Sequence, residues 1–329
     1  MFENMATDFH RGATAPESRS FSDKESNCKL VFQQTIKHYG GFYHLCTPGE
    51  KQSVIFRTTD DYGYMMTLVA ICSYAFPNLQ IITFEIMSNH IHIILCGDGE
   101  DILAFFALLK QRLKRYFAER RTTVDLTYFD CEQPISILTL DSLRNQIAYV
   151  NRNNYVVDPD QTPFSYPYGA NRYYFTPSAK RYSNGRFGDL PILDKRAFLH
   201  SRNIDYPNSW TVVDGYVSPA SYVRFDIGES VFRDARHYFH KVSRDIESYK
   251  EVAELLGDSI YYTDDELLSA IYRFCRDEYQ AEKPTLLSSN QKMELARRLH
   301  FDYNADNKKI ARLLKLNPYV LDEMFPLRK

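Results

Sequence analysis

The chain has 329 residues, of which 44% are hydrophobic and 25% charged, with a formal net charge of −2. This is an ordinary composition for a soluble globular protein, long enough for two domains or for one domain with a long extension. No apolar run approaches the ~18 residues that a membrane-spanning helix needs, which excludes an integral membrane protein of the helical kind, and any nucleic-acid-binding surface must be a local concentration of charge.

The polar residues 1–27 show no apolar period and are expected to be a disordered tail. Residues 30–36 and 42–46 read as strands around the Gly40-Gly41 turn. A helix is expected from Tyr62 to Ala75, ending before Pro77. Residues 79–86 and 91–95, rich in Ile, read as two more strands separated by Ser88-Asn89. From Asp101 to Arg121, Ile102, Phe105, Phe106, Leu109 and Leu113 recur at helical spacing. The other face of that helix carries Lys110, Arg112, Lys114 and Arg115, a pattern suited to positioning phosphates or simply to facing solvent. A short strand over residues 135–140 and a helix from Asp141 to Asn154 follow.

This β-α-β-β-α-β-α order points to an α+β fold, ferredoxin-like or RRM-like, with an antiparallel sheet and helices on one face. The first folded unit spans residues 28–178, a connector follows over 179–217, and a mainly helical extension fills 218–329. Within the extension, residues 290–325 have the pattern of a helix-turn-helix, with Ile310, Leu313, Leu314, Val320 and Leu321 as its core. None of the six cysteines forms a C-x-x-C pair and no signal peptide precedes them, so they read as reduced thiols in a cytoplasmic protein. The 25 Tyr and 22 Phe are packing residues first, and stacking surfaces for unpaired bases second.

The chemistry concentrates in Met87-Ser88-Asn89-His90-Ile91-His92. On a strand, side chains alternate, so His90 and His92 share a face and can present two imidazoles to one divalent metal. Tyr149 and Asn153 lie four apart on the later helix and share a face there. These motifs follow one another in a familiar order. Phe42-Tyr43-His44-Leu45, Ser53-Val54-Ile55-Phe56 and Asp61 lead to Phe84-Glu85-Ile86-Met87-Ser88-Asn89-His90-Ile91-His92, and then to Ile147-Ala148-Tyr149-Val150 and Asn153.

Over residues 40–175 the chain resembles the single-tyrosine HUH transposases, especially the REP-associated tyrosine transposase branch. The resemblance implies that Tyr149 is the nucleophile, and that His90, His92 and Asn153 hold Mg²⁺ or Mn²⁺. The implied reaction cleaves and rejoins single-stranded, hairpin-forming DNA through a 5′-phosphotyrosine. Either a monomer is implied, or a homodimer in which one subunit's tyrosine helix serves the other's histidines. The chain departs from the pattern in having Asn154 after Asn153, and Phe164-Ser165-Tyr166 where Trp-Ser-Ser is expected. Two alternatives stand beside this reading. One is a non-catalytic DNA-binding protein on a decayed transposase scaffold. The other is a metal-dependent hydrolase that adds His237 and His240 to the pair.

Overall fold

The computed structural model describes residues 20–49, 52–157, 164–244, 252, 264–303 and 305–326. Residues 1–19 of the expected tail lie outside them. The rest of that tail and the strand expected at 30–36 form a single helix instead, α1 (Phe21–Tyr39). Ser20 starts it through a capping box with Asp23. Cys28, Phe32 and Thr35 are its buried positions, an i, i+4, i+7 spacing that marks a helix face and that the nearby apolar cluster disguises. Gly40 turns the chain into the sheet with φ 110°, and a Cβ there would stand 2.5 Å from the Gly97 carbonyl oxygen.

Four strands follow: β1 (Gly41–Cys46), β2 (Gln80–Ile86), β3 (Ile91–Gly97) and β4 (Ile135–Ile137). They form one antiparallel sheet in the order β2-β3-β1-β4. Helix α2 (Thr59–Ala75) connects β1 to β2, and α3 (Gly99–Glu119) lies between β3 and β4. This is the expected ferredoxin-like arrangement. The two helices pack on each other through the Tyr64 and Tyr116 rings, stacked at 4.1 Å, and the Tyr116 hydroxyl donates to Asp61 at 3.1 Å.

Helices cover the other face as well. Strand alternation turns Phe42, His44, Thr83 and His92 to that side. Phe32 of α1 stacks on Phe42 at 5.4 Å, and Asn151 of α4 (Leu140–Val157) receives the Thr83 hydroxyl. Burial on both faces explains why β2 and β3 are nearly continuous runs of Ile, Leu and Phe rather than alternating strands.

The expected connector is folded. Helices α5 (Pro177–Arg181) and α6 (Ile192–Leu199) accompany a small antiparallel sheet of β5 (Gly185–Arg186), β6 (Thr211–Val213) and β7 (Tyr216–Val217). Phe187, Leu199, Trp210 and Val217 form a core of their own there, with Ala70 and Ile71 of α2. The boundary expected at residue 218 falls inside the first unit, because α7 (Phe225–Ser230) and α8 (Ala235–Arg244) contribute Phe225, Tyr238 and Val242 to the main core.

The C-terminal helices α9 (Asp264–Asp277), α10 (Ser289–Phe301), α11 (Asn307–Leu314) and α12 (Pro318–Met324) enclose a separate core. Helices α11 and α12 meet at a turn through Lys315, in the left-handed region at φ 53°, and Asn317 caps α12. Ile310, Leu314 and Leu321 are buried as expected, whereas Val320 is 41% exposed. No described helix is long and apolar enough to cross a membrane, and none of the six cysteines is in a disulfide.

Candidate functional site

The histidine pair sits at the junction of a clamped turn and β3. The amides of Ile55 and Phe56 both donate to the Ser88 carbonyl, at 2.9 Å each. The Asn89 amide nitrogen donates to the Gly49 and Gln52 carbonyls, at 2.8 Å each. Both amide hydrogens of Asn89 are thereby used, which orients its oxygen toward His90 Nδ1 at 2.7 Å. That oxygen can only accept, so Nδ1 of His90 carries the proton and Nε2 carries the lone pair.

His92 follows two residues later, its ring 5.0 Å from that of His90. Its Nδ1 lies 3.1 Å from Nε2 of His44 on β1, and Nδ1 of His44 lies 2.9 Å from the Gln146 oxygen. The Gln146 amide nitrogen donates to the Ser142 hydroxyl at 3.2 Å, which leaves its oxygen to accept from His44. The direction of the chain is then fixed. His44 Nδ1–H donates to Gln146, His44 Nε2 accepts from His92 Nδ1–H, and His92 Nε2 is the unprotonated nitrogen. Both members of the pair therefore hold the same tautomer, each imposed by a different neighbour.

Burial keeps these rings neutral. It lowers His44 to about 4, against a smaller opposing effect of the Gln146 bond, and lowers His90 to about 4. His92 is held well below the ordinary range by burial first, and then by the two neighbouring imidazoles.

Helix α4 supplies the other side of the site. Over residues 140–153 it is buried nearly all round, so its polar residues there need internal partners. The Arg144 guanidinium, 2% exposed, bonds both Glu25 oxygens, Asp141 and the Val231 carbonyl. Asn151 donates to the Tyr238 hydroxyl at 2.7 Å. Fixed this way, α4 places the Tyr149 ring, itself 2% exposed, against the histidines: its centroid is 5.6 Å from His92 and 6.2 Å from His44. Asn153 is buried one turn further on.

The structure thus brings Tyr149 to His92 and puts His90 beside His92. His44, Gln146 and Glu85 belong to the same neighbourhood and were not anticipated as site residues. Glu85 is buried and in direct register with His92 across β2 and β3. Gln146, Tyr149 and Asn153 lie at i, i+3 and i+7, a helix-face pattern that could have singled out Gln146.

Two neutral imidazoles of fixed tautomer suit a divalent first-row ion, with oxygen donors needed to complete its shell. Among the described residues, no group of three His, Cys, Asp or Glu side chains is placed to hold a metal. An amide such as that of Asn153, or an oxygen of the substrate, is the kind of donor such a site would need. His237 and His240 do not extend the pair. Among the described residues, the His237 ring packs on Phe232 at 5.7 Å and accepts from the Arg233 amide, while His240 is exposed.

The basic face of α3 is partly neutralised. Lys110 pairs with Asp130 at 2.9 Å, and Arg115 with Glu119 at 2.7 Å. Lys114 is exposed, and Arg112 is half-buried beside a cavity.

No family model matches the chain, and no curated protein matches it. Among solved structures it is similar to a REP-associated tyrosine transposase bound to a REP hairpin, with a TM-score of 0.35 and 13% identity, over 54% of this chain and 94% of that one.

Proposed function

We propose that this protein is a transposase-type DNA strand transferase that cleaves and rejoins single-stranded, hairpin-forming DNA. The observation that carries the reading is the placement of the Tyr149 ring against His92, on the same side of the sheet, by a helix anchored through Arg144 and Asn151. The motif order around His90, His92, Tyr149 and Asn153 supports the same chemistry.

In this reading His90, His92 and Asn153 hold Mg²⁺ or Mn²⁺, which supplies charge neutralisation at the scissile phosphate. The Tyr149 oxygen attacks phosphorus and loses its proton to solvent. The P–O3′ bond breaks, and the departing oxygen takes up a proton as a free 3′-hydroxyl. The 5′-phosphotyrosine keeps the energy of the phosphodiester, so another 3′-hydroxyl reverses the step and joins strands without a nucleotide cofactor. Lys110, Arg112, Lys114 and Arg115 of α3 are candidates for holding DNA phosphates away from the reacting centre.

The test is incubation of the full chain with end-labelled hairpin DNA and Mn²⁺, followed by denaturing electrophoresis. The reading expects a covalent adduct that is absent with Tyr149→Phe and strongly reduced with His90→Ala. DNA binding with no adduct in the wild type, or an adduct that survives Tyr149→Phe, overturns it.

A further inference from the structure

A second site lies away from the histidines, where α2, α3 and the end of α6 meet. A cavity of about 620 Å³ opens there. Its floor is aromatic. The stacked Tyr64 and Tyr116 rings are both buried, and the His200 ring stands edge-on to each of them at 4.9 Å. His200 ends α6 in the left-handed region at φ 45°, an uncommon conformation for a residue with a side chain, and this turn delivers Arg202 to the rim.

The rim is cationic, carrying Arg112, Arg115 and Arg202. The nearby acids are already engaged. Glu119 pairs with Arg115 and Asp60 with Arg120. Asp61 accepts from the Arg57 and Thr58 amides and from the Tyr116 hydroxyl. Among the described residues, neither Arg112 nor Arg202 has an ion-pair partner. Two planar guanidinium groups beside buried aromatic rings, where water screens charge less than in bulk, form an environment in which an anion with several oxygens binds through paired N–H donors. The cavity falls in the size range of small-molecule sites of ~300–1,000 Å³, so it has room for more than a free oxyanion.

We propose that this cavity is a phosphate-binding site, clamped by Arg112 and Arg202, for a phosphate carried on a nucleotide or nucleic-acid strand. Its residues do not include the histidine pair or Tyr149, but Arg112 is shared with the proposed DNA contacts, so the strand arm of this site rests on the proposed function and the free-ligand arm does not.

The experiment uses the full chain carrying Tyr149→Phe, so that binding is read without strand transfer. Calorimetry with inorganic phosphate and with deoxyadenosine monophosphate reports the free ligands, and fluorescence anisotropy with a labelled hairpin oligonucleotide reports the strand. Arg112→Gln together with Arg202→Gln is expected to weaken binding about tenfold or more. The exposed control Arg186→Gln is expected to leave it unchanged, and circular dichroism verifies that each variant is folded. Weakening confined to the mononucleotide and phosphate identifies a free ligand, and weakening confined to the oligonucleotide identifies a strand phosphodiester; both support the site. Equal affinity of the double variant and the parent for all three probes, or an equal loss with Arg186→Gln, overturns it.

Discussion

His44 Nε2 lies 3.1 Å from His92 Nδ1, and the Gln146 oxygen on the far side of His44 sets which of the two rings donates. A strand and a helix thereby cooperate to select one tautomer of a third residue, on another strand. Outer partners of this kind commonly change metal affinity by about 10–100-fold when removed. His44→Leu and Gln146→Leu are therefore expected to weaken Mn²⁺ binding by about that factor, read from the free-ion EPR signal. Nitrogen NMR of labelled imidazoles is expected to show the Nδ1–H form of His92 in the parent and a mixture in Gln146→Leu. Unchanged affinity together with an unchanged tautomer in Gln146→Leu would refute the coupling.

Gly49 holds the other imidazole in place by having no side chain. A Cβ there would stand 2.8 Å from His90 Nδ1, closer than packed atoms approach, and Asn89 pins the ring from the other side. Gly49→Ala is expected to displace His90 and so to reduce Mn²⁺ affinity, with a loss of global stability of only about 1 kcal/mol because the turn lies at the edge of the core. Urea titration and EPR on one sample separate the two effects. A large stability loss with normal metal binding is the contrary result.

Glu25 is the carboxylate that answers the buried Arg144 guanidinium. Its hydrogen bonds with Arg144 outweigh the opposing effect of burial and hold it below the ordinary carboxylate range. A depressed carboxylate stabilises the fold above its unfolded pKa, near ~4.3, and that contribution is lost as pH falls through the folded value. Glu25→Gln is expected to cost about 3 kcal/mol at pH 7, since it leaves a buried cation without its main counter-charge. The gap between variant and parent in urea unfolding should narrow steadily as the pH falls below ~4. A gap independent of pH would assign the effect to packing.

Asn307 ties the last two helices together. Its amide nitrogen donates to the Leu321 and Phe325 carbonyls, at 3.4 and 3.0 Å, and to Asp322 at 2.8 Å. Asn307→Ala is expected to destabilise the C-terminal helices by about 1–3 kcal/mol. Because their core is separate from that of the sheet, hydrogen exchange should accelerate in α11 and α12 while β1–β3 keep their protection. Uniform acceleration across both cores would show that the two unfold together.

Local pattern determined a good deal about this protein. Apolar periodicity located α2, α3, β1, β2 and β3, and the two-residue spacing put His90 and His92 side by side, because those regularities follow from backbone geometry alone. The same reasoning mistook α1 for a strand, since an apolar cluster within a helix and a buried strand look alike over seven residues. Tertiary structure decided the rest. His44 and Gln146 stand 102 residues apart in the chain, and neither has a spacing signature that names the other. Their meeting depends on β1 pairing with β3 and on α4 crossing the face they share. The folded connector and the arginine-lined cavity arise in the same way, from surfaces that exist only once distant segments have packed, and for that reason no window of sequence contains them.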